Sequence, residues 1–190
     1  MCDVSALILA GGKATRMGGV AKHELVVGGR TIFERLTAVL APRVQEILVA
    51  TAADIEGYRC VRDVLPDVGP LAGIAAGLEA SLTPWLLVVA GDMPRLTGAV
   101  VDELLGAVTD LDDAIGARIG GLPEPLVCVL HRRTLPAVTR RLANRRFKVS
   151  GLLTEERLHV RWLDLDAHRQ AFCNVNEPED LGGIGGSNPA

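Results

Sequence analysis

The chain has 190 residues, enough for one domain with a substantial core. Its net charge of −3 argues against a general nucleic-acid or membrane-surface role, so any anion site must be a local basic pocket. Aromatic residues are only 3%, and the core must therefore be aliphatic, as in a buried parallel sheet covered by helices. No signal peptide and no membrane span can be read from the apolar runs, and the expected location is cytoplasmic. Cys2, Cys60, Cys128 and Cys173 form no Cys-x-x-Cys pair and are expected to be reduced thiols. The four histidines are dispersed and read as structural or surface residues rather than zinc ligands.

Strand-like and helix-like stretches alternate from the start. Residues 5–9 read as a buried strand, and 24–27 as a short strand-like piece closed by Gly28-Gly29. Thr31 can cap a helix carrying Phe33, Leu36, Val39 and Leu40, with Pro42 beyond its end. Strands follow at 46–50 and 59–62. Pro70 then fits the first turn of a helix whose apolar face is Ile74, Leu78 and Leu82. Residues 85–90 are all apolar and end abruptly at Gly91-Asp92-Met93-Pro94. Thr97 opens a helix with Val100, Val101, Leu104, Leu105 and Val108 on one side. A strand at 126–130, a helix at 134–142 and a late edge strand at 160–163 complete the pattern. It predicts an α/β fold: one three-layer domain with a mainly parallel sheet and right-handed crossovers. That domain spans 1–181, and the glycine-rich tail 182–190 is expected to be disordered.

In such folds ligands sit beyond the carboxyl ends of the strands. The first strand leads into Gly11-Gly12-Lys13-Ala14-Thr15-Arg16-Met17-Gly18-Gly19-Val20-Ala21-Lys22. Four glycines, two lysines and an arginine in this stretch suit a polyphosphate, because glycine admits a ligand close to the backbone and the cations supply charge. It is not a P-loop, since Ala14 follows Gly12-Lys13, and not a Gly-x-Gly-x-x-Gly fingerprint. Arg16 and Lys22 would neutralise phosphate charge, while Lys13 can simply face water. Asp92, at a buried strand's end, can hold Mg²⁺ or cap the next helix. Asp63 follows another strand and can assist a ligand or serve as a turn residue. Asn174 and Asn176 can read a polar heterocycle or shape the turn before Pro178. The arginines at 140, 141, 145 and 146, with Lys148, read as a solvated helix end or as a hold on an anionic substrate.

Four motifs together resemble the molybdenum cofactor guanylyltransferase family of nucleotidyltransferases: Leu-Ala-Gly-Gly-Lys-x-x-Arg-Met-Gly-Gly-x-x-Lys, Gly-Pro-Leu-Ala-Gly, Gly-Asp-Met-Pro and Asn-Val-Asn-x-Pro-Glu-Asp-Leu. They run from residue 9 to residue 181. The resemblance implies a Rossmann-like fold and transfer of GMP from GTP to the terminal phosphate of molybdenum-bearing molybdopterin, with Mg²⁺, releasing pyrophosphate. It implies that Leu9, Ala10 and Gly11 line the guanine site, and that Gly12, Arg16 and Lys22 face the phosphates. Asp63 would contact the nucleotide, Asp92 the metal, and Asn174 and Asn176 the pterin side. Gly69 and Gly73 would shape the crevice. Arg16, Lys22 and Asp92 are the expected catalytic groups. Molybdoenzymes or their chaperones are expected partners; nucleic acid and membrane are not. Two positions depart from the family pattern: Ala21 replaces a frequent acidic residue, and Ala50-Thr51-Ala52 lacks a frequent asparagine. A cytidylyltransferase, a sugar-phosphate nucleotidyltransferase or a non-catalytic carrier of nucleotide or cofactor are the alternatives.

Overall fold

The computed structural model describes residues 3–11, 22–62 and 68–173. Its strands are β1 (Val4–Leu9), β2 (Val26–Val27), β3 (Arg30–Thr31), β4 (Glu46–Ala50), β5 (Arg59–Val61), β6 (Trp85–Ala90), β7 (Ala114–Ile119), β8 (Leu122–His131) and β9 (Val160–Asp164). The helices are α1 (Ile32–Leu40), α2 (Pro70–Ala80), α3 (Gly98–Gly106), α4 (Leu135–Ala143) and α5 (Val149–Glu155), with short 3₁₀ turns between.

Seven strands form one sheet in the order β5-β4-β1-β6-β8-β7-β9, and β2 and β3 form a separate hairpin. Only β8 runs antiparallel to its neighbours in the large sheet. Alternation along each strand divides the core into two halves. Val4, Ala6 and Ile8 of β1 and Leu87 and Val89 of β6 face α1 and α3. Leu7 of β1 and Leu86 and Val88 of β6 face α2, α4 and α5. The result is the expected three-layer arrangement. The scarcity of aromatics is met by aliphatic side chains, nearly all of them fully buried.

Local signals explain most elements. The Thr31 hydroxyl accepts from the Glu34 N–H at 3.0 Å, and the Glu34 carboxylate accepts from the Thr31 N–H at 2.7 Å. This reciprocal cap starts α1 where the sequence predicts it. Gly28 and Gly29, with φ of 55° and 81°, make the tight β2–β3 turn. All six residues of β6 are buried, as its apolar run predicts.

Three readings change. Leu82 is not on the apolar face of α2; it lies beyond the helix end and is 77% exposed. Strand β7 and helix α5 have no counterpart in the sequence reading, and β8 begins four residues before the predicted strand. In the arginine group Arg145 is exposed at the helix end as expected, but the other three are paired. Arg141 is buried and pairs with Glu155 and Glu156, Arg140 pairs with Glu156, and Arg146 pairs with Glu155. These pairs join α4 to the end of α5. Cys60, Cys128 and Cys173 are free, and burial pushes the Cys128 thiol up to about 12. Among the described residues no helix is long and apolar enough to cross a membrane.

Candidate active site

Strands β1 and β6 run side by side and end level, with Leu9 opposite Ala90. Immediately beyond, the Gly91 N–H donates to the Leu9 carbonyl at 3.0 Å. A Cβ on Gly91 would stand 2.7 Å from that same oxygen, so only glycine allows the two backbones to approach this closely. On the other side, the Ala10 N–H donates to the Ala50 carbonyl at 3.0 Å. The start of the glycine loop is thus fastened to β4 and β6 at once. Leu9, Ala10, Gly11 and Asp92 come together at this point of the carboxyl edge. Asp92 is half-buried on the turn that Gly91 locks.

Helix α2 opens on the same edge. Gly69 precedes it with a φ of 90°, a value a Cβ disfavours, and Pro70 occupies the first turn. Gly73 is buried within the helix. One turn further, a Cβ at Gly77 would meet the Leu7 side chain at 2.7 Å, so α2 lies closely against β1. Gly69 and Gly73 thus lie just before and within the start of a helix that opens on this edge. Gly12, Arg16, Asp63, Asn174 and Asn176 lie outside the described residues, as does the side chain of Lys22.

His23, expected to be a structural or surface residue, is part of this region. It follows Lys22 in a short 3₁₀ turn and is buried. A ring N–H donates to the Ala10 carbonyl, and the ring stands edge-on to Phe33 at 6.0 Å between centroids. Phe33 in turn packs edge-on against Tyr58 at 4.9 Å. Burial pulls the imidazole pKa down, and the nearby Glu24 charge and the Ala10 bond oppose it only in part. Ala10 is therefore held at both its N–H and its carbonyl. The signal available in the sequence was a histidine directly after the last loop lysine.

At the end of β4, where an amide was expected in the family pattern, Thr51 donates its N–H to the Val61 carbonyl at 3.2 Å. Its hydroxyl accepts from the Ala53 N–H at 3.4 Å. This hydroxyl is the polar side chain of the Ala50-Thr51-Ala52 segment.

Farther along the same edge lie two polar residues that the sequence reading did not select. Glu124 is half-buried on β8, and burial alone pushes its carboxyl pKa up. Arg118 is on β7, its guanidinium 4.5 Å from the centre of the Trp162 ring. The Arg118 Nε is buried with no hydrogen-bond partner.

Mg²⁺ takes one or two protein carboxylates and completes an octahedron with phosphate oxygens and water. Asp92, next to Gly91, whose N–H holds the Leu9 carbonyl, is a carboxylate that fits that donor set. Among the described residues no three His, Cys, Asp or Glu side chains gather, so substrate oxygens and water would supply the other positions.

The model of the MobA-like NTP transferase domain matches residues 6–158. A curated relative from Vibrio vulnificus, named molybdenum cofactor guanylyltransferase, is 32% identical over 182 residues, covering 93% of this chain and 92% of the relative. The crystal structure of molybdopterin-guanine dinucleotide biosynthesis protein A from Archaeoglobus fulgidus superposes with a TM-score of 0.75 at 23% identity, covering 94% and 95% of the two chains. A 2-C-methyl-D-erythritol 4-phosphate cytidylyltransferase from Thermus thermophilus reaches a TM-score of 0.70 at 18% identity, covering 94% and 96%. These two likenesses concern the fold alone.

Proposed function

Because this chain belongs to the MobA-like NTP transferase family, and is a nucleotidyltransferase, we propose that it moves GMP from GTP to the terminal phosphate of molybdenum-bearing molybdopterin. Molybdopterin guanine dinucleotide forms and pyrophosphate leaves. The observation that supports the reading is the Gly91–Leu9 contact, which ties the backbone just before Asp92 to the strand end that leads into the glycine loop. A curated relative of 32% identity bears the guanylyltransferase name, which supports GTP as donor and molybdopterin as acceptor.

A phosphate monoester has a second pKa near 6, so the acceptor is largely ionised at neutral pH and needs no strong base. The work left to the protein is positioning and charge neutralisation. In this reading Leu9, Ala10 and Gly11 line the guanine. Gly12, Arg16 and Lys22 face the phosphates, Asp63 contacts the nucleotide, and Asn174 and Asn176 serve the pterin side. Asp92 would hold Mg²⁺, which when bound offsets the charge of the phosphates. His23 keeps the Ala10 carbonyl turned into the protein and so fixes the backbone under the base. One domain over 1–181, acting in the cytoplasm and passing its product to molybdoenzymes or their chaperones, completes the proposal.

The test is pyrophosphate release with Mg²⁺ and each of GTP, CTP, ATP and UTP, with and without molybdenum cofactor. Release with GTP alone, and only with cofactor, is the expected result. A CTP preference would move the chain to cytidylyl transfer. Tight GTP binding without release would leave a carrier.

A further inference from the structure

We propose that Glu124 is a specificity-determining residue for the acceptor, accepting hydrogen bonds from the N–H and NH₂ groups of a 2-amino-4-oxo heterocycle. The inference rests on the pterin acceptor of the preceding section and names the group that recognises it.

The backbone around Glu124 is preset. It stands between Pro123 and Pro125, which restricts both its own conformation and that of its neighbours. Neither proline can donate to a strand ladder; Pro125 lies where the β7–β8 pairing is interrupted, while Pro123 stays in register opposite Arg118. Gly116 pairs with Cys128, but the next residue, Ala117, pairs with Glu124. Three residues of β8 are thus spent against none of β7. Irregularities of this kind re-aim side chains and concentrate beside active sites.

The place is the acceptor half of the crevice. β8 is the strand next to β6, and Asp92 follows the end of β6. Pairing of β6 with β8 ends at Val89 and Val127, so the residues of β8 before Val127 reach the edge where Asp92 lies. Leu9, read as a nucleotide-side residue, ends β1, which lies on the opposite side of β6 from β8.

The chemistry is that of an acceptor without a donor. Among the described residues the Glu124 carboxylate has no hydrogen-bond or ion-pair partner, although it is half-buried. Water still reaches a carboxylate at this exposure, and a ligand that displaces that water must offer it donors in exchange. Arg118 is opposite Pro123 in the hairpin, yet no ion pair joins it to Glu124. Its guanidinium is held instead over Trp162, whose ring fills the space that a Cβ at Gly116 would need, at 2.5 Å. A carboxylate offers two oxygens to adjacent N–H donors, and the 2-amino-4-oxo edge of a pterin presents such a pair at N3 and the 2-amino group.

The experiment uses the full chain and two fluorescent probes, 6-hydroxymethylpterin phosphate and its 2,4-dioxo counterpart, in direct binding titrations. The 2,4-dioxo ring keeps N3–H but places a carbonyl where the amino group was. Wild type should prefer the pterin by about 10- to 100-fold, the usual penalty for facing a carboxylate with an acceptor. Glu124→Gln should lose or invert that preference, since an amide offers one acceptor and one donor and matches the dioxo ring. Thermal unfolding of the variant confirms its fold. Equal preference in wild type and variant, or none in wild type, would overturn the proposal. So would a variant whose change is confined to a raised Mg²⁺ requirement in GTP turnover, which would make Glu124 a metal-side group. A wild type that discriminates between the probes but releases no pyrophosphate from GTP would sink guanylyl transfer and leave the acceptor assignment standing.

Discussion

The two edges of the large sheet are built on opposite plans. At the amino edge the polar side chains are mostly paired with each other. Ser5 donates to Glu46 at 2.8 Å and shares a hydrogen bond with Thr83 at 2.7 Å, and Ser81 donates to Ser5 at 3.0 Å. Glu46 also accepts from the Leu82 N–H at 2.7 Å and from Arg59 at 3.1 Å. Farther along, buried Asp112 accepts from the Thr109 hydroxyl at 2.6 Å and from Arg161 at 3.1 Å. Asp113 accepts from the His159 N–H at 2.8 Å and from Arg133 at 2.5 Å. At the carboxyl edge the backbone is tightly fixed, by the Gly91–Leu9 and Ala10–Ala50 bonds, but Glu124 and the Arg118 Nε are left without partners among the described residues. One edge spends its polar groups on stability. The other holds its backbone rigid and keeps polar groups available for a ligand.

Substitutions at the two edges should therefore separate activity from stability. The largest effect on activity is expected from Asp92→Ala. Loss of a well-placed charged group costs about 10²–10³ in rate. Steady-state turnover should fall by that amount while the unfolding temperature stays near wild type. An equally active variant would remove Asp92 from the metal assignment.

Asp112→Asn should do the reverse. It weakens a buried ion pair, and breaking such pairs costs about 3 kcal/mol. For a domain of this size that is roughly a 6–12 °C drop in melting temperature, with KM for GTP unchanged. The acid limb should change too. Burial works to raise the Asp112 carboxyl, but Thr109 and Arg161 outweigh it and hold the pKa below the ordinary range. Asp113 and Glu46 are also held low against burial, by the His159 N–H and Arg133 and by the Leu82 N–H, Ser5 and Arg59. A carboxyl with a depressed folded pKa contributes its full stabilisation above the ordinary value of about 4 and loses it as pH falls through the folded value. Melting temperature should hold above about pH 5 and fall steeply below pH 4, less steeply in Asp112→Asn.

Gly91→Ala sharpens the contrast, because it touches the carboxyl edge through backbone alone. Forcing a methyl against the Leu9 carbonyl should cost about 1–3 kcal/mol and lower kcat/KM as Asp92 and Ala10 part. A variant with normal kinetics would show that this contact does not position the site.

The smallest effect is expected at Arg145. It takes a φ of 56° just past α4, where the Arg146 N–H donates to the Arg141 carbonyl at 2.8 Å. This helix stop favours glycine. Arg145→Gly should raise stability by about 0.5–1 kcal/mol, read as a rise of a few degrees in melting temperature.

Much of this design was legible before any coordinates. β1, β4, β6, α1 and α2 carry their own instructions in apolar runs, a capping box and Pro70, all local signals that neighbours in sequence can satisfy. The grouping of the glycine loop and Asp92 at one edge follows from strand direction alone, because every parallel strand ends there. Strand β7 was not legible. Ala114, Gly116 and Ala117 carry little β-propensity, and the strand exists because Cys128, Val129 and Trp162, supplied by later strands, pack and pair with it. Helix α5 depends likewise on Arg141, and Leu82 followed the helical spacing but fell past the helix end. His23 and Glu124 gained meaning only in three dimensions. A histidine becomes a backbone clamp when burial and the Ala10 carbonyl meet it, and a glutamate becomes a recognition group when folding half-buries it on the edge of Asp92 with no donor beside it. The sequence by itself determined where strands end, which residue types those ends carry and which family they belong to. Burial and partnership across distant strands, which only the tertiary structure decided, separated the carboxylates that hold the fold together from Glu124, which has no partner among the described residues.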